Sequence, residues 1–222
     1  MSELVSAALL SLFVASLGAL LGLPIAIVLG HRLAHSRGPA RVALATLTLL
    51  PLALPPVVTG YLLLLLLGRR GVFGGALDAI GAHIVFSTAG AVIAGTVVGL
   101  PLYVLASRRA FEDVDPRLAE VARTLGASRW RTFRAIELPL ARRGLWVGAI
   151  LAFARSLGEF GATIVLAGDV PGRTRTIPLA VYAALSRPGG ERTAATLAAI
   201  SVALSVLALA VHEGLARRRP AS

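Results

Sequence analysis

The chain has 222 residues, of which 56% are hydrophobic and only 15% are charged, and its mean hydropathy is +0.81. A soluble domain of this length needs more polar surface to cover its core, so this composition predicts a membrane protein. The net charge is +11, every basic residue other than histidine is arginine, and there is no cysteine. Disulfides, thiolate chemistry and metal ligation by cysteine are therefore excluded.

Five long apolar segments predict an all-α polytopic membrane protein. Each is long enough to cross about 30 Å of hydrocarbon as a helix. The first lacks the basic leader of a signal peptide and carries Glu3 instead, so we expect it to be retained as a span. The predicted spans are residues 5–30, 42–67, 84–106, 140–167 and 194–215.

The arginines are distributed unevenly among the connections between these spans. Residues 31–41, 107–143 and 216–220 hold fifteen arginines, whereas residues 68–83 and 168–193 hold six. Cytoplasmic connections of membrane proteins are enriched in basic residues. We therefore expect the N-terminus outside the cell and the C-terminus in the cytoplasm.

Prolines interrupt the second predicted span. Each proline removes a backbone donor, so we expect a kink or break near Pro51, Pro55 and Pro56. Such backbone is tolerated at membrane depth only against protein or a water-filled cavity. Pro55 and Pro56 are therefore candidates for a translocation path, and a kink that serves packing alone is the competing interpretation. Further along, Pro178 starts a predicted short helix at residues 177–186, at the outer surface or capping a pore.

An arginine-rich helical hairpin is predicted at residues 115–139, on the side expected to be cytoplasmic. Asp115 caps a first helix that ends at Gly126, and Ser128 caps a second one before Pro139 starts the next span. An amphipathic linker on lipid headgroups and a knob that docks into a partner protein both explain this pattern. Nucleic acid is disfavoured as a partner, because a DNA-reading helix pinned between two spans cannot enter a major groove.

The hairpin resembles the cytoplasmic signature of ABC importer permease subunits, which is Glu-Ala-Ala, three residues, Gly, nine residues, Ile-x-Leu-Pro. This chain has Glu120-Val121-Ala122, then Gly126, then residues 136–139 as Ile-Glu-Leu-Pro, with valine in place of the first alanine. The resemblance implies a type I ABC importer permease fold in which the hairpin is the coupling-helix pair that docks into an ATPase subunit. The implied ATPase-coupling residues are Glu120, Val121, Ala122, Arg123, Leu125 and Gly126.

Further blocks between Leu50 and Glu191, such as "LAFARSLGEFGATI" and "RTRTIPLAVY", are similar to molybdate importer permeases. Sulfate and tungstate permeases share the Gly-Glu-Phe-Gly-Ala style of block. The resemblance implies an inner-membrane permease for an oxyanion, with molybdate as the first expectation and tungstate or sulfate as alternatives. We expect a homodimer, because five spans with one interior charge pair per copy form half of a pathway. The resemblance also implies two cytoplasmic ABC ATPase subunits, which bind ATP and Mg, and an extracytoplasmic oxyanion-binding protein. A stand-alone channel or carrier is the other class left open.

Arg155 and Glu159 are the only charged residues between positions 151 and 168. They lie four residues apart, on one helical face and within pairing distance. A charge deep in a bilayer costs about 2.5–3.5 kcal/mol unless it faces protein or water, so we expect the pair to point inward. A structural ion pair explains this pattern. A path for a tetrahedral oxyanion, lined by Arg155, Ser156, Glu159 and Thr163, explains it as well.

No catalytic, cofactor or metal site is predicted in this chain. A phosphate-binding loop needs a lysine, and the chain has none, so we assign ATP hydrolysis to a separate partner. Motifs of metalloproteases and serine hydrolases are absent from the sequence. The four histidines lie near the ends of predicted spans, where histidine is usually interfacial or solvated: His31, His35, His83 and His212.

Overall fold

The computed structural model describes residues 3–217, which form eleven α-helices, one π-helical turn and no strand. The predicted all-α fold class is confirmed for this part of the chain. In chain order the helices are α1 (Glu3–His35), α2 (Pro39–Ala53), α3 (Pro56–Leu67), α4 (Gly74–Ala79), α5 (Thr88–Glu112), α6 (Pro116–Thr124), α7 (Arg129–Thr132), α8 (Leu138–Leu157), α9 (Gly161–Leu166), α10 (Ile177–Leu185) and α11 (Glu191–Arg217), with the π turn (Phe133–Glu137) between α7 and α8.

Helices α1, α5 and α8 pack together at the centre of the fold. Glycines allow their backbones to approach closely where they cross. A Cβ on Gly30 of α1 would lie 2.6 Å from the Cβ of Ser107, and one on Gly99 of α5 would lie 2.9 Å from the carbonyl oxygen of Ala152. Small residues at crossings are typical of helices that associate in lipid, where the hydrophobic effect no longer drives them together. Both crossings therefore depend on glycine.

Three helices within residues 3–217 are long and apolar enough to cross a membrane, namely α1, α5 and α11. The predicted spans at residues 5–30 and 194–215 lie inside α1 and α11. The predicted span at residues 84–106 begins shortly before α5 and ends inside it. These three segments therefore have the length and composition that a span requires.

The segment predicted as the second span, residues 42–67, consists of two helices. Helices α2 and α3 meet at an angle of 115°, and the break lies at Leu54 and Pro55. Leu54 still donates its N–H to the carbonyl of Leu50, whereas Pro55 has no N–H to continue the helix. Pro51, by contrast, lies inside α2. The expected break therefore occurs at Pro55, whereas Pro51 does not interrupt its helix.

The segment predicted as the fourth span, residues 140–167, is also divided, and the sequence pattern did not indicate this break. Helix α8 ends at Leu157 and is followed by Gly158, a residue type with low helix propensity. The carboxylate of Glu159 then accepts a hydrogen bond from the N–H of Ala162 in the first turn of α9, at 2.8 Å. Glu159 thus helps to start a new helix by satisfying one of its free N–H groups.

The predicted short helix at residues 177–186 is α10, and one of its faces is buried. Ile177 and Ala180 form a cluster with Ala7 of α1 and Leu197 of α11. The N–H of Ile177 donates to the hydroxyl of the buried Ser11 on α1, at 2.7 Å. Helix α10 is therefore fixed between the first and last long helices.

Candidate functional site

The coupling hairpin, residues 115–139, begins with a helix whose two ends are capped by local hydrogen bonds. Asp115 accepts a hydrogen bond from the N–H of Arg117 at 2.9 Å. At the other end the N–H of Ala127 donates to the carbonyl of Ala122, at 3.0 Å. Gly126 lies between them with φ +86°, the left-handed conformation that favours glycine in this type of helix end. The caps predicted at Asp115 and Gly126 are present.

The tip of the coupling hairpin presents apolar side chains to its surroundings. Leu125 is 83% exposed, Trp130 is 64% exposed and Val121 is 57% exposed. Of the predicted coupling residues, Ala122 is half-buried and the other five are exposed, namely Glu120, Val121, Arg123, Leu125 and Gly126. A rigid helical turn that exposes apolar side chains has the form of a surface that a groove on another protein can cover.

The second arm of the hairpin differs from the prediction. Ser128 caps α7 by accepting a hydrogen bond from the N–H of Arg131 at 3.2 Å, as expected. Pro139 lies in the first turn of α8, as expected, but α7, the π turn and α8 follow one another without a break. In a regular α-helix the ring of Pro139 would clash with the carbonyl of Ala135, and the wider π turn that ends just before it relieves this contact. The second arm therefore continues into α8 as helical backbone without a break.

The base of the hairpin is fastened to the central helices by aromatic contacts and a hydrogen bond. The ring of His31 on α1 packs edge-on against Phe111 of α5 and Phe133 of the π turn, at centroid distances of 5.2 and 5.0 Å. Its Nε2 lies 2.7 Å from the Oε2 atom of Glu137. Neither His31 nor Glu137 was a predicted site residue, and their positions along the chain gave no signal of this contact.

Arg155 and Glu159 pair as predicted. Nη1 of Arg155 donates to Oε2 of Glu159 at 2.9 Å, and the other carboxylate oxygen accepts the N–H of Ala162. The side chain of Glu159 is 2% exposed, whereas that of Arg155 is 29% exposed. The carboxylate is thus held inside the protein by two partners, while the guanidinium reaches its surface.

The two helix breaks, at Leu54–Pro55 and Gly158–Phe160, lie together and form what we call the break region. A Cβ on Gly60 of α3 would lie 2.7 Å from the Cα of Ala162, and one on Gly161 of α9 would lie 2.9 Å from the Cβ of Pro56. Helices α3 and α9 therefore touch backbone to backbone. All six predicted path residues lie in or beside this region, namely Pro55, Pro56, Arg155, Ser156, Glu159 and Thr163.

Buried hydroxyl groups accompany the break region. Those of Thr59 and Ser156 find no hydrogen-bond partner among residues 3–217. Thr163 is 1% exposed, whereas Pro55 is exposed. Thr59 was not among the predicted path residues, although its place one turn after the Pro55 break was a usable signal. Hydroxyl groups and a guanidinium are both hydrogen-bond donors that an oxyanion can accept from.

A second cluster of charges, which the sequence pattern did not predict, lies where the loop between α9 and α10 meets the start of α1. Arg175 is 7% exposed and binds Asp169 with two hydrogen bonds, of 2.6 and 2.9 Å, and its Nη1 also binds Glu3. The hydrogen bonds that Arg175 donates to Asp169 raise the pKa of the Arg175 guanidinium, burial acts in the opposite direction, and the hydrogen bond to Glu3 raises this pKa by a smaller amount. The loop is therefore anchored to α1 by a permanent positive charge.

Comparison with known proteins decides the family. Residues 22–219 match the family model described as "Binding-protein-dependent transport system inner membrane component". The chain belongs to this family. It is therefore a multi-pass inner-membrane component of a transport system, and the resemblance seen in the coupling hairpin is confirmed at the level of the family.

Two curated relatives extend over nearly the whole chain. The Molybdenum transport system permease protein ModB of Escherichia coli K12 is 51% identical over 212 residues, which cover 95% of this chain and 93% of the relative. The protein of the same name from Haemophilus influenzae is 44% identical over 215 residues, covering 96% and 94%.

Among solved structures, a bacterial alginate ABC transporter in complex with an alginate-bound periplasmic protein superposes with a TM-score of 0.73. The identity is 20%, and the superposition covers 98% of this chain and 80% of the other. At this identity the likeness shows the fold, which is that of ABC transporter permeases.

Proposed function

We propose that this chain is the transmembrane permease subunit of an ATP-driven importer of molybdate. The observation that carries the proposal is the coupling hairpin, in which a capped helix exposes Val121 and Leu125 at the position of the ABC permease signature. The substrate is inferred from the two molybdenum permeases that resemble the chain along nearly all of its length. Tungstate or sulfate import is the alternative function.

The proposed assembly is a homodimer with two cytoplasmic ATPase subunits and an extracytoplasmic oxyanion-binding protein. ATP and Mg bind to the ATPase subunits, because this chain has no lysine for a phosphate-binding loop. The arginine count favours an N-terminus outside and a C-terminus in the cytoplasm. Of the tail at residues 216–220 that was included in this count, residues 218–220 lie outside the described part of the chain.

Helix α8 is the proposed mechanical link between ATP hydrolysis and the membrane path. Its 20 residues span about 30 Å, with the coupling hairpin at one end and Arg155 in the last turn of the other. Since no break separates the hairpin arm from α8, a displacement of the hairpin by the ATPase pair moves the break region as well. The break between α8 and α9 then acts as a hinge, so that α8 can move relative to α9.

The proposed path uses Arg155 to attract the oxyanion and Glu159 to limit how tightly it binds. Conduction requires binding that is favourable enough for the ion to enter and weak enough for it to leave. The pairing with Glu159 meets this requirement, because it neutralises Arg155 without removing its N–H donors. The competing role, a purely structural ion pair, is also supported by the hydrogen bond from Ala162 to Glu159.

Uptake by the reconstituted complex tests both the class of protein and its substrate. We expect molybdate to enter only with ATP and the binding protein, with tungstate competing well and sulfate competing poorly. Sulfate competing as well as molybdate would overturn the substrate and favour the alternative. Ion flux through the chain without an ATPase would overturn the class and identify a channel or carrier.

A further inference from the structure

Three metal-binding side chains meet at the base of the coupling hairpin. His31 and His35 lie one turn apart at the end of α1, and Glu137 is the last residue of the π turn. One ligand atom from each of the three residues lies within 4.8 Å of those of the other two. The sequence spacing of the two histidines was a signal for a shared helical face, but Glu137 joins them only through the fold.

The ligand set and its orientation suit a transition metal. Two imidazoles and one glutamate form a common set in zinc sites that keep an open position for water. The ring of His35 is already oriented by a hydrogen bond, since its Nδ1 lies 2.9 Å from the carbonyl oxygen of His31. A donating Nδ1–H leaves the Nε2 lone pair of His35 available, which is the usual arrangement of a metal-binding histidine. Tetrahedral ligands lie about 3.4 Å apart, so ligand atoms that are now within 4.8 Å of one another approach by about 1.4 Å at most when an ion binds.

The site is open to solvent, and the charges around it do not repel a cation. The site opens into a cavity of about 260 Å³ that is also lined by Asp115, Arg123 and Arg129. The two arginine charges are balanced by the carboxylates of Asp115 and Glu137. The rings of Phe111 and Phe133 hold His31 in place from two sides. We therefore expect an accessible site that binds its ion with lower affinity than a closed structural site with four protein ligands.

We propose that His31, His35 and Glu137 bind one divalent ion of the zinc class, which fastens the end of α1 to the base of the coupling hairpin. The π turn is the feature that connects this site to movement, because it joins the hairpin arm to α8 and contributes Glu137. A bound ion restrains the hairpin relative to α1 and so slows transport. The slowing rests on the proposed function, whereas the binding of the ion does not.

Zinc titration of the full chain tests the site directly. The protein is purified in detergent without a polyhistidine tag, stripped of metal and titrated with Zn²⁺ against a chromophoric chelator. We expect the wild type to bind one Zn²⁺ per chain. In His35→Asn the zinc affinity should be lower by about 10-fold or more. His83→Asn is the matched control, because His83 precedes the start of α5 whereas His31 packs against Phe111 near the other end of that helix, and the zinc affinity of this variant stays that of the wild type. No saturable binding, or equal affinity in wild type and His35→Asn, overturns the proposal.

Glu137→Gln is the second variant, because it keeps the shape of the side chain and removes the carboxylate. We expect it to weaken zinc binding while the chain remains folded by circular dichroism. Unchanged zinc affinity in this variant overturns the part assigned to Glu137.

Transport in the reconstituted complex separates this proposal from the proposed function. Zn²⁺ should slow ATP-driven uptake by the wild type and leave uptake by His35→Asn unaffected. If zinc binds without any effect on uptake, the proposed restraint of the hairpin is wrong, but the metal site itself is still supported. If the complex imports no oxyanion at all, the proposed function fails, and the titration still decides whether the site exists.

Discussion

The coupling hairpin and the break region both depend on glycines and capped helix ends, but they are stabilised in opposite ways. In the hairpin every cap is local, for example between Asp115 and Arg117 or between Ala122 and Ala127. In the break region there are also contacts between residues that are far apart in the chain, such as Gly60 of α3 and Ala162 of α9. The hairpin can therefore change without loss of the fold, whereas a change in the break region reaches several helices at once.

Replacing Gly60 by valine should have the largest effect on the molecule, because it separates two backbones in the break region. The new Cβ would lie 2.7 Å from the Cα and 2.8 Å from the carbonyl oxygen of Ala162, and a backbone cannot move aside as a flexible side chain can. We expect a loss of about 3 kcal/mol or more of stability. The amount of folded chain extracted from membranes by a mild detergent measures it.

Gly75→Val is the control for Gly60→Val, because a Cβ at Gly75 meets nothing within 4 Å. It should leave the yield of folded chain close to that of the wild type. Equal yields from Gly60→Val and Gly75→Val would show that the close approach of α3 and α9 does not stabilise the fold.

Gly126→Val should lower ATP-driven uptake and leave the fold intact. A Cβ there has open space, but φ +86° costs a β-branched residue about 1–2 kcal/mol, so Gly126→Val distorts the turn. We expect ATP-driven uptake to fall by about 10-fold or more. The yield of folded chain, measured as for Gly60, should not change.

Asparagine tolerates the left-handed conformation, so Gly126→Asn is the matched control for Gly126→Val. It should retain most of the uptake. If Gly126→Asn and Gly126→Val lose uptake to the same extent, the shape of the turn is not what the ATPase subunit requires.

The same contrast explains how far the sequence could predict the structure. The caps at Asp115, Gly126 and Ser128 were predictable, because each depends on residues within one or two turns. The continuity of the second arm through Pro139 was not predictable, because it depends on a π turn for which the sequence gives no simple pattern. Local chemistry therefore identified the coupling hairpin, and its connection to α8 needed the structure.

The break region was only half predictable. Prolines indicated the break at Pro55, because a missing N–H is a property of the residue itself. The break at Gly158 depends on Glu159 turning its carboxylate towards Ala162 while it also binds Arg155. Four-residue spacing predicted the ion pair and, for the same reason, suggested a continuous helix. The pattern that identified the charges thus concealed the break between α8 and α9.

Glu159→Gln separates the two roles of this residue in the break region. The amide oxygen can still accept the N–H of Ala162, whereas the charge that neutralises Arg155 is lost. We expect a normal yield of folded chain and uptake that is lower by about 10-fold, which corresponds to about 1.4 kcal/mol. Uptake of radiolabelled molybdate and the yield of folded chain are measured on the same preparation.

Glu159→Ala removes both the charge and the cap, and it is the comparison for Glu159→Gln. Loss of the cap costs about 1 kcal/mol, so the yield of folded chain should fall as well as uptake. If Glu159→Gln already lowers yield and uptake equally, the ion pair is structural and the path assignment is wrong.

The smallest effect is expected at Glu3, in the charged cluster around Arg175. Its side chain is 52% exposed, and exposed ion pairs contribute about 0–1 kcal/mol, so Glu3→Gln should lower the free energy of unfolding by less than about 1 kcal/mol.

Asp169→Asn is the comparison for Glu3→Gln. Asp169 binds the 8%-exposed side chain of Arg175 through two hydrogen bonds, so its loss should lower the free energy of unfolding by about 2 kcal/mol, even after allowance for partial exposure. Thermal unfolding in detergent ranks the two variants. A larger effect at Glu3 would mean that α1, and not the loop that carries Asp169, holds this arginine in place.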